Sequence, residues 1–504
     1  MRTQTYLAFI WKKEANREYL LYGLVICIVQ FVVFKILYPY PDFYNDSLWY
    51  IWAASANMDI SVWPIGYSKF LSAFHALTVS DTALTVFQYF FMQLVLLNFY
   101  FTIIYFFKTG RWTRNVLFFF LLINPLTLYL ANTVISDSLF GALTLLWLTQ
   151  LIWLLQRPYV VQIFTQAILV FLCFSIRHTA CYYPFISSVA FVLSRQSVWK
   201  KLSGILLSFL FPFLFIQYSK NAAYEFIGYR QSSLFTGWQL ANNALYIYEY
   251  LPEDSMLFTT PETRELDRMA RSFFRGKYFL KNRSSIYQFP GSYFVAQGEG
   301  PLKQYFFLHS RGLIAIDKVR DWGKMSTIFE LYGRSIIMNH PLAYIRYFGA
   351  ANARFFFLPP LADMQVYNGG QNKIYPIARE WFAYTSTEID CLAPGIQRYL
   401  MVYSSLFLLF NIYFWGQLVF VGLRTGIKSL LKANHCSYFI LLAYLLINFL
   451  FSLFAAINVL RYQYIPMVIL LCAGFLISNN FCTDLTAAPC PARSTAEERD
   501  NNQG

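Results

Sequence analysis

The chain has 504 residues, of which 57% are hydrophobic, 20% aromatic and only 13% charged, with a formal net charge of +14. A soluble globular chain is excluded, because such domains carry about 25% charged residues. What remains is an α-helical polytopic membrane protein whose length exceeds what spans alone consume at roughly 20 residues each, so a sizeable part lies outside the membrane.

Apolar runs predict about ten transmembrane helices, near residues 19–38, 83–107, 116–132, 138–155, 161–176, 179–194, 202–218, 399–423, 438–457 and 464–478. The first run is of full span length and lacks a small-residue cleavage pattern, so it reads as an anchor and not as a removable signal. Lys12, Lys13 and Arg17 precede it, and later basic links are Lys108/Arg111/Arg114, Arg195/Lys200/Lys201 and Arg424/Lys428/Lys432. With ten spans all of these fall on one side, which the positive-inside rule makes cytoplasmic together with both termini. The positive charge is thus a topology signal, or one facing anionic membrane lipids, and no nucleic-acid partner is expected.

The organisation that follows is an N-terminal membrane domain over 1–218 with about seven spans and an outer loop at 39–81, and an outer domain over 219–397. A C-terminal membrane domain of about three spans over 398–478 and a disordered cytoplasmic tail over 479–504 complete it. In the first outer loop, Leu48, Ile51, Trp52 and Ser55 share one side of a helical stretch from Asp46 to Met58. Trp63-Pro64-Ile65-Gly66-Tyr67 breaks it, and Phe70, Leu71, Phe74 and Leu77 resume the pattern. Two amphipathic helices in the membrane interface fit this spacing. Asp42, just before them, reads as a solvated surface charge. The outer domain is mixed in composition and too long to be structureless; helices are expected over 262–276 and 322–339, the latter stopped by Pro341, with loops at Pro359-Pro360 and Gly369-Gly370. Of eight cysteines only Cys391 falls there, so no disulfide framework holds it.

Charged residues gather at helix ends on that outer side: Asp46, Asp137, Arg177 with His178, and Arg461. Charges near membrane depth require partners or water, and two carboxylates and two guanidiniums supply one another. Guanidinium matches phosphate in charge and fork geometry, so Arg177 and Arg461 suit an anionic lipid-linked substrate. Asp46 suits a general base on an acceptor hydroxyl, and Asp137 a residue that positions the acceptor or assists a metal. Helix capping is the alternative for Asp46 and Asp137, headgroup snorkelling for Arg461, and a local hydrogen bond for His178. A divalent cation shared by Asp46 and Asp137 requires that they meet in space. The absence of a Walker-type loop argues against direct ATP coupling, and no Asp-x-Asp clamp for a nucleotide sugar is present. Gly237 to Asn243 and Met364 to Gly370 mix aromatics with amides, which suits either sugar contact or ordinary packing.

Asn45-Asp46-Ser47 with Tyr50, then Trp63-Pro64-Ile65-Gly66-Tyr67-Ser68, Asn124-Pro125 before Ser136-Asp137-Ser138, Arg177, and Arg461-Tyr462 with Pro466 together resemble the C-type membrane glycosyltransferases. That superfamily includes the protein O-mannosyltransferases and the aminoarabinose transferase of lipid A. The plan is similar to bacterial members of the Bacteroidetes type, over roughly the first 218 residues and the last hundred. The resemblance implies a bacterial inner (cytoplasmic) membrane and a periplasmic outer domain. It also implies a polyprenyl-phosphate sugar donor and a glycan, lipid or protein acceptor. A catalytic carboxylate at Asp46 follows from it; the clustered charges add Asp137 as a second catalytic residue, and Arg177, His178, Arg461, Tyr50 and Tyr462 are expected on the substrate. The Asp-Glu pair of the O-mannosyltransferases is missing, since Ser47 follows Asp46, so their acceptor chemistry does not carry over. A polysaccharide polymerase or ligase, and a lipid-linked substrate transporter or flippase, are the competing readings; the absence of an internal repeat disfavours transport.

Overall fold

The computed structural model describes residues 5–252, 258–289, 291–312, 314–425, 436–455 and 457–486. Lys428 and Lys432 of the last basic link and residues 487–504 of the tail lie outside the described residues. Among the described residues the secondary structure is helical, with only two isolated bridges, Asp42–Thr133 and Lys373–Glu388.

Among the described residues eight helices are long and apolar enough to cross a membrane: Glu14–Leu37, Asp81–Phe106, Arg111–Ala131, Asp137–Gln156, Val198–Ile227, Ile396–Arg424, Cys436–Phe454 and Leu460–Asn479. Two further apolar helices, Val161–Ile176 and Tyr183–Leu193, are shorter. A 16-residue helix rises only about 24 Å, less than a hydrocarbon core of about 30 Å. The pair is broken by the short 3₁₀ turn His178–Tyr182, and Pro184 stands in the first turn of the helix that resumes, where its missing N–H costs nothing. Leu460–Asn479 runs through the middle of the bundle, 89% buried over its most apolar window, whereas Glu14–Leu37 lies at the periphery with 22%. Arg111 opens the helix that ends at Ala131, Lys200 and Lys201 open the one that ends at Ile227, and Arg157 follows Gln156. Basic residues therefore sit at helix ends remote from Asp137 and Arg177.

The two loop helices are Asn45–Ser55 and Gly66–His75. The first starts where the Ser47 hydroxyl accepts the Tyr44 backbone N–H at 2.9 Å, and it buries Ser47, Tyr50, Ile51, Ala53 and Ala54. Ser55, expected on the apolar side, is exposed. The second buries Tyr67, Ser68 and Leu71. Leu77, expected on its apolar face, is 85% exposed because the helix stops at His75. A Cβ on Gly66 would lie 2.5 Å from the Ser175 carbonyl oxygen, so glycine lets this helix close onto the chain just before Arg177.

Within the long stretch after the Val198–Ile227 helix, two parts differ in what they pack on. Residues from Ala223 to Phe348 share a core of their own with Ile60 and Val62 of the first loop, whereas Phe356, Leu361, Met364, Tyr367 and Phe382 join the core of the spans. The helices read from sequence appear as Pro261–Arg275 and Ala315–Asn339, the first capped by the Thr260 hydroxyl, which accepts from Thr263 N at 3.2 Å. Trp238 stacks on Trp322 at 3.7 Å, nearly parallel. A Cβ on Gly237 would fall 1.7 Å from the Ser326 carbonyl oxygen. Gly237→Ala is therefore expected to push Thr236–Leu245 off Ala315–Asn339 and destabilise this domain by about 1–3 kcal/mol; limited proteolysis checks it, and digestion at the parent rate contradicts it.

The last helix, Tyr464–Thr486, passes Ser478, where a disordered tail was expected. Asn479-Asn480 is followed by Phe481 and Cys482 and not by a helix breaker.

Candidate functional site

Five segments distant in sequence meet at one face of the bundle. The loop entering Asn45–Ser55 is clipped to the turn before Asp137: Asp42 N–H donates to the Asn132 carbonyl at 2.8 Å and Val134 N–H to the Asp42 carbonyl at 3.2 Å. This fixes the helix start that carries Asp46 beside the helix start that carries Asp137. Tyr50 secures the same junction, its hydroxyl 3.0 Å from the Ser136 hydroxyl. Negative side chains are favoured in first helical turns, and Asp46 and Asp137 each occupy one.

Asp137 does not use its carboxylate as a cap. Its Oδ1 accepts from Arg177 Nη1 at 2.6 Å and its Oδ2 from Arg461 Nη1 at 3.4 Å, with the carboxylate side chain 3% exposed. Arg461 is almost as deeply placed and sends Nη2 to Asp46 Oδ2 at 3.1 Å, which rules out snorkelling toward headgroups. A third carboxylate, Asp363, approaches Arg461 Nη2 at 3.8 Å from a half-exposed position. Tyr462 lies between the guanidiniums, its ring centre 4.3 Å from Arg177 Cζ and 4.9 Å from Arg461 Cζ. Flat stacking of this kind holds the guanidinium while leaving its edge N–H groups free to donate. Arg177 uses only Nη1 in hydrogen bonding among the described residues.

Asp46, Tyr50, Asp137, Arg177, His178, Arg461 and Tyr462 all line a single cavity of ≈ 400 Å³. His178 packs on Phe174, ring centres 5.3 Å apart, and burial pushes its imidazole down to about 4, so it is neutral at physiological pH. A bridging divalent cation does not fit the donor set. Arg461 already stands between Asp46 and Asp137, and no group of three or more His, Cys, Asp or Glu side chains is placed to hold a metal among the described residues.

Asp42, expected as a solvated charge, is instead buried at 4% exposure. Its Oδ1 accepts from Asn368 N–H at 2.8 Å and its Oδ2 from the Gln397 side chain at 3.2 Å. The same strap is held by the Tyr367 hydroxyl, which donates to the Tyr40 and Pro41 carbonyls at 3.2 and 3.1 Å, and by Leu460 N–H, which donates to the Pro360 carbonyl at 2.9 Å. Met364 to Gly370 is thus an anchored strap and not an open sugar surface. Trp238 is fully buried in the other aromatic segment, while Gln239, Leu240 and Asn243 reach the cavity. Ala362 adopts φ 49, a left-handed conformation costing about 1–2 kcal/mol in a non-glycine residue, and it turns Asp363 toward Arg461.

Burial pushes the Asp42 carboxyl up to about 7, with the bonds from Asn368 and Gln397 pulling the other way. The folded value lies above the unfolded one, near 4, so the fold favours the protonated acid. The associated stability is complete below about pH 4, falls as pH rises, and is gone above about 7, with a limiting slope of roughly 1.4 kcal/mol per pH unit. Asp42→Asn is expected to gain stability relative to the parent from pH 4 to 7 and to hold a constant difference above that. Melting both proteins across pH 4–8 checks this, and a difference independent of pH contradicts it.

Fold and site together define an α-helical membrane protein with a charged cavity at one face. No family model, curated protein or solved structure matches the chain.

Proposed function

We propose that this protein is a membrane glycosyltransferase of the C type, moving a sugar from a polyprenyl-phosphate donor to a hydroxyl acceptor at the periplasmic face of a bacterial inner membrane. One observation carries the reading. Asp46, Asp137, Arg177 and Arg461 converge on a cavity that is also lined by Phe140, Tyr183, Tyr444 and Phe451 from apolar helices. An amphiphile with a phosphate head and a hydrocarbon tail has both contacts it needs there. The sidedness is supported by the basic helix ends on the remote side.

In this mechanism the uncommitted N–H groups of Arg177 take the donor phosphate. Arg461 turns from Asp46 toward the same phosphate, which frees the Asp46 carboxylate. Asp46 accepts the acceptor's hydroxyl proton as that oxygen bonds to the anomeric carbon, and the carbon–oxygen bond to phosphate breaks with its electron pair on the departing polyprenyl phosphate. The guanidiniums stabilise the charge that develops there. Asp137 stays between the two arginines and keeps them oriented. No covalent enzyme intermediate is required, and the configuration at the anomeric carbon inverts.

The test is mass spectrometry of intact glycolipids and glycoproteins from parent and deletion strains, with turnover of a polyprenyl-phosphate sugar by the purified protein. Loss of one defined sugar on deletion, restored by the purified protein acting on the isolated acceptor, is the expected result. Unchanged glycans, or accumulation of an intact lipid-linked sugar on the cytoplasmic leaflet, would overturn the reading, the second in favour of a flippase.

A further inference from the structure

We propose that the cavity contains a subsite for an uncharged sugar headgroup, read by Trp63, Gln239, Asn448 and Gln463. This rests on the donor reading above and narrows it to neutral, hydroxylated sugars.

The distribution of charge is the first ground. Among the described residues the carboxylates on the cavity wall are Asp46 and Asp137, each held by a guanidinium, and the arginines are Arg177 and Arg461, in the same cluster. Apart from the neutral His178, every other residue of the wall is apolar or an uncharged polar group. An amino sugar would require a carboxylate beyond Asp46, which is committed to the acceptor's proton, and Asp137, which is committed to the arginines; a uronic acid would require a cation beyond those committed to phosphate. The wall beyond this cluster offers neither.

The second ground is a set of polar atoms without partners. Gln463 is 1% exposed, and its Oε1 has no hydrogen-bond partner; its Nε2 makes only a long bond of 3.4 Å to Asn458. Trp63 Nε1 is likewise buried and unpartnered. Gln239 donates from Nε2 to Asn243 Oδ1 at 2.7 Å, which leaves Oε1 uncommitted among the described residues. Asn448 accepts from the Tyr182 hydroxyl at 3.2 Å, which leaves Nδ2. Buried polar groups without partners are rare and call for an explanation. Gln463 Oε1 and Trp63 Nε1 are of that kind; Gln239 Oε1 and Asn448 Nδ2 belong to less buried side chains, and together the four residues, all lining the same space, offer two amide oxygens that accept and two N–H groups that donate. Sugar hydroxyls do both, one donor and two lone pairs each, so they satisfy a mixed set that phosphate, which only accepts, would not.

The third ground is how the set is held. Gln239 lies on Thr236–Leu245, seated by Gly237 against Ser326, and its neighbour Asn243 donates to the Tyr344 hydroxyl at 3.2 Å and to the Phe454 carbonyl at 3.3 Å. Phe454 ends the helix that carries Asn448. The helical domain and the spans are thus tied together at the subsite, and the domain contributes directly to the choice of sugar.

The experiment measures binding of four probes to the full-length purified protein in lipid nanodiscs: polyprenyl phosphate alone, and polyprenyl phosphate bearing a neutral hexose, an amino sugar or a uronic acid. The neutral glycolipid is expected to bind at least tenfold more tightly than bare polyprenyl phosphate, and the two charged forms no more tightly than the bare lipid. Gln463→Leu removes an oxygen that has no partner and one long bond of 3.4 Å to Asn458, so the fold is expected to tolerate it; Gln239→Leu, at a less buried position, is the second variant. Each should abolish most of the tenfold advantage while leaving affinity for bare polyprenyl phosphate unchanged. If the hexose adds nothing, if charged sugars bind as well as the neutral one, or if both variants keep the full advantage, the subsite is overturned while the lipid-phosphate reading stands. If bare polyprenyl phosphate and all three glycolipids fail to bind, the donor reading falls and the subsite with it.

Discussion

Purified Asp46→Asn protein is expected to transfer sugar roughly 10²- to 10⁴-fold more slowly than the parent, the range associated with loss of a general base. The substitution keeps one oxygen in the place where Asp46 meets Arg461 at 3.1 Å but removes the group that takes the proton. Arg461 retains Asp137 and Asp363 as partners, so the melting temperature should change little. That contrast separates chemistry from scaffolding. If Asp46 served only to neutralise Arg461, the variant would melt earlier and turn over at the parent rate. Single-turnover measurement with saturating donor is the informative form of the assay, because the defect belongs to the chemical step and should not resemble a rise in KM.

Arg461→Met is expected to do the opposite, costing stability first. It leaves Asp46, Asp137 and Asp363 facing one another without the cation that links them, and Asp137 is left with Arg177 alone. Breaking a buried pair by removing one partner typically costs about 3–5 kcal/mol. The loss should appear as a large fall in melting temperature together with loss of transfer. Asp137→Asn in the same chain should recover part of the melting temperature, because it removes the stranded charge, while transfer stays lost. A variant that melts with the parent would show that the ion pairs contribute no net stability. Arg461→Lys keeps the charge but not the fork that reaches Asp46 and Asp137 from two nitrogens, so it should restore only part of the stability.

The long apolar helices were legible in the sequence because apolar runs obey a simple length rule. At 161–176 and 179–194, which look like spans by composition, the break at Arg177-His178 leaves helices of 16 and 11 residues, shorter than the other eight apolar helices. Asp46, Asp137, Arg177 and Arg461 stood out because ionised groups beside apolar runs are costly. Asp363 did not, since it follows Pro359-Pro360 in an ordinary loop and its partner is on the last span. Asp42 was misread for a related reason. Its burial depends on Asn368 and Gln397, and a carboxylate four residues from a site residue carries no local mark of such contacts. Gln239, Asn448 and Gln463 carry no charge to betray them, and only the enclosure of the cavity makes their unpartnered atoms visible.

Arg461 opens the helix Leu460–Asn479 and follows Asp137 by 324 residues and Asp46 by 415, so both carboxylates are synthesised long before the cation that joins them. Until that helix arrives, Asp46 has no counterion from this cluster and Asp137 has only Arg177. The cluster is therefore incomplete in an electrostatic sense until Leu460–Asn479 is added, and docking of that helix is drawn by charge as well as by apolar contact. A chain stalled before residue 461 would hold Asp46, Asp137 and Arg177 yet lack the residue that links the two carboxylates.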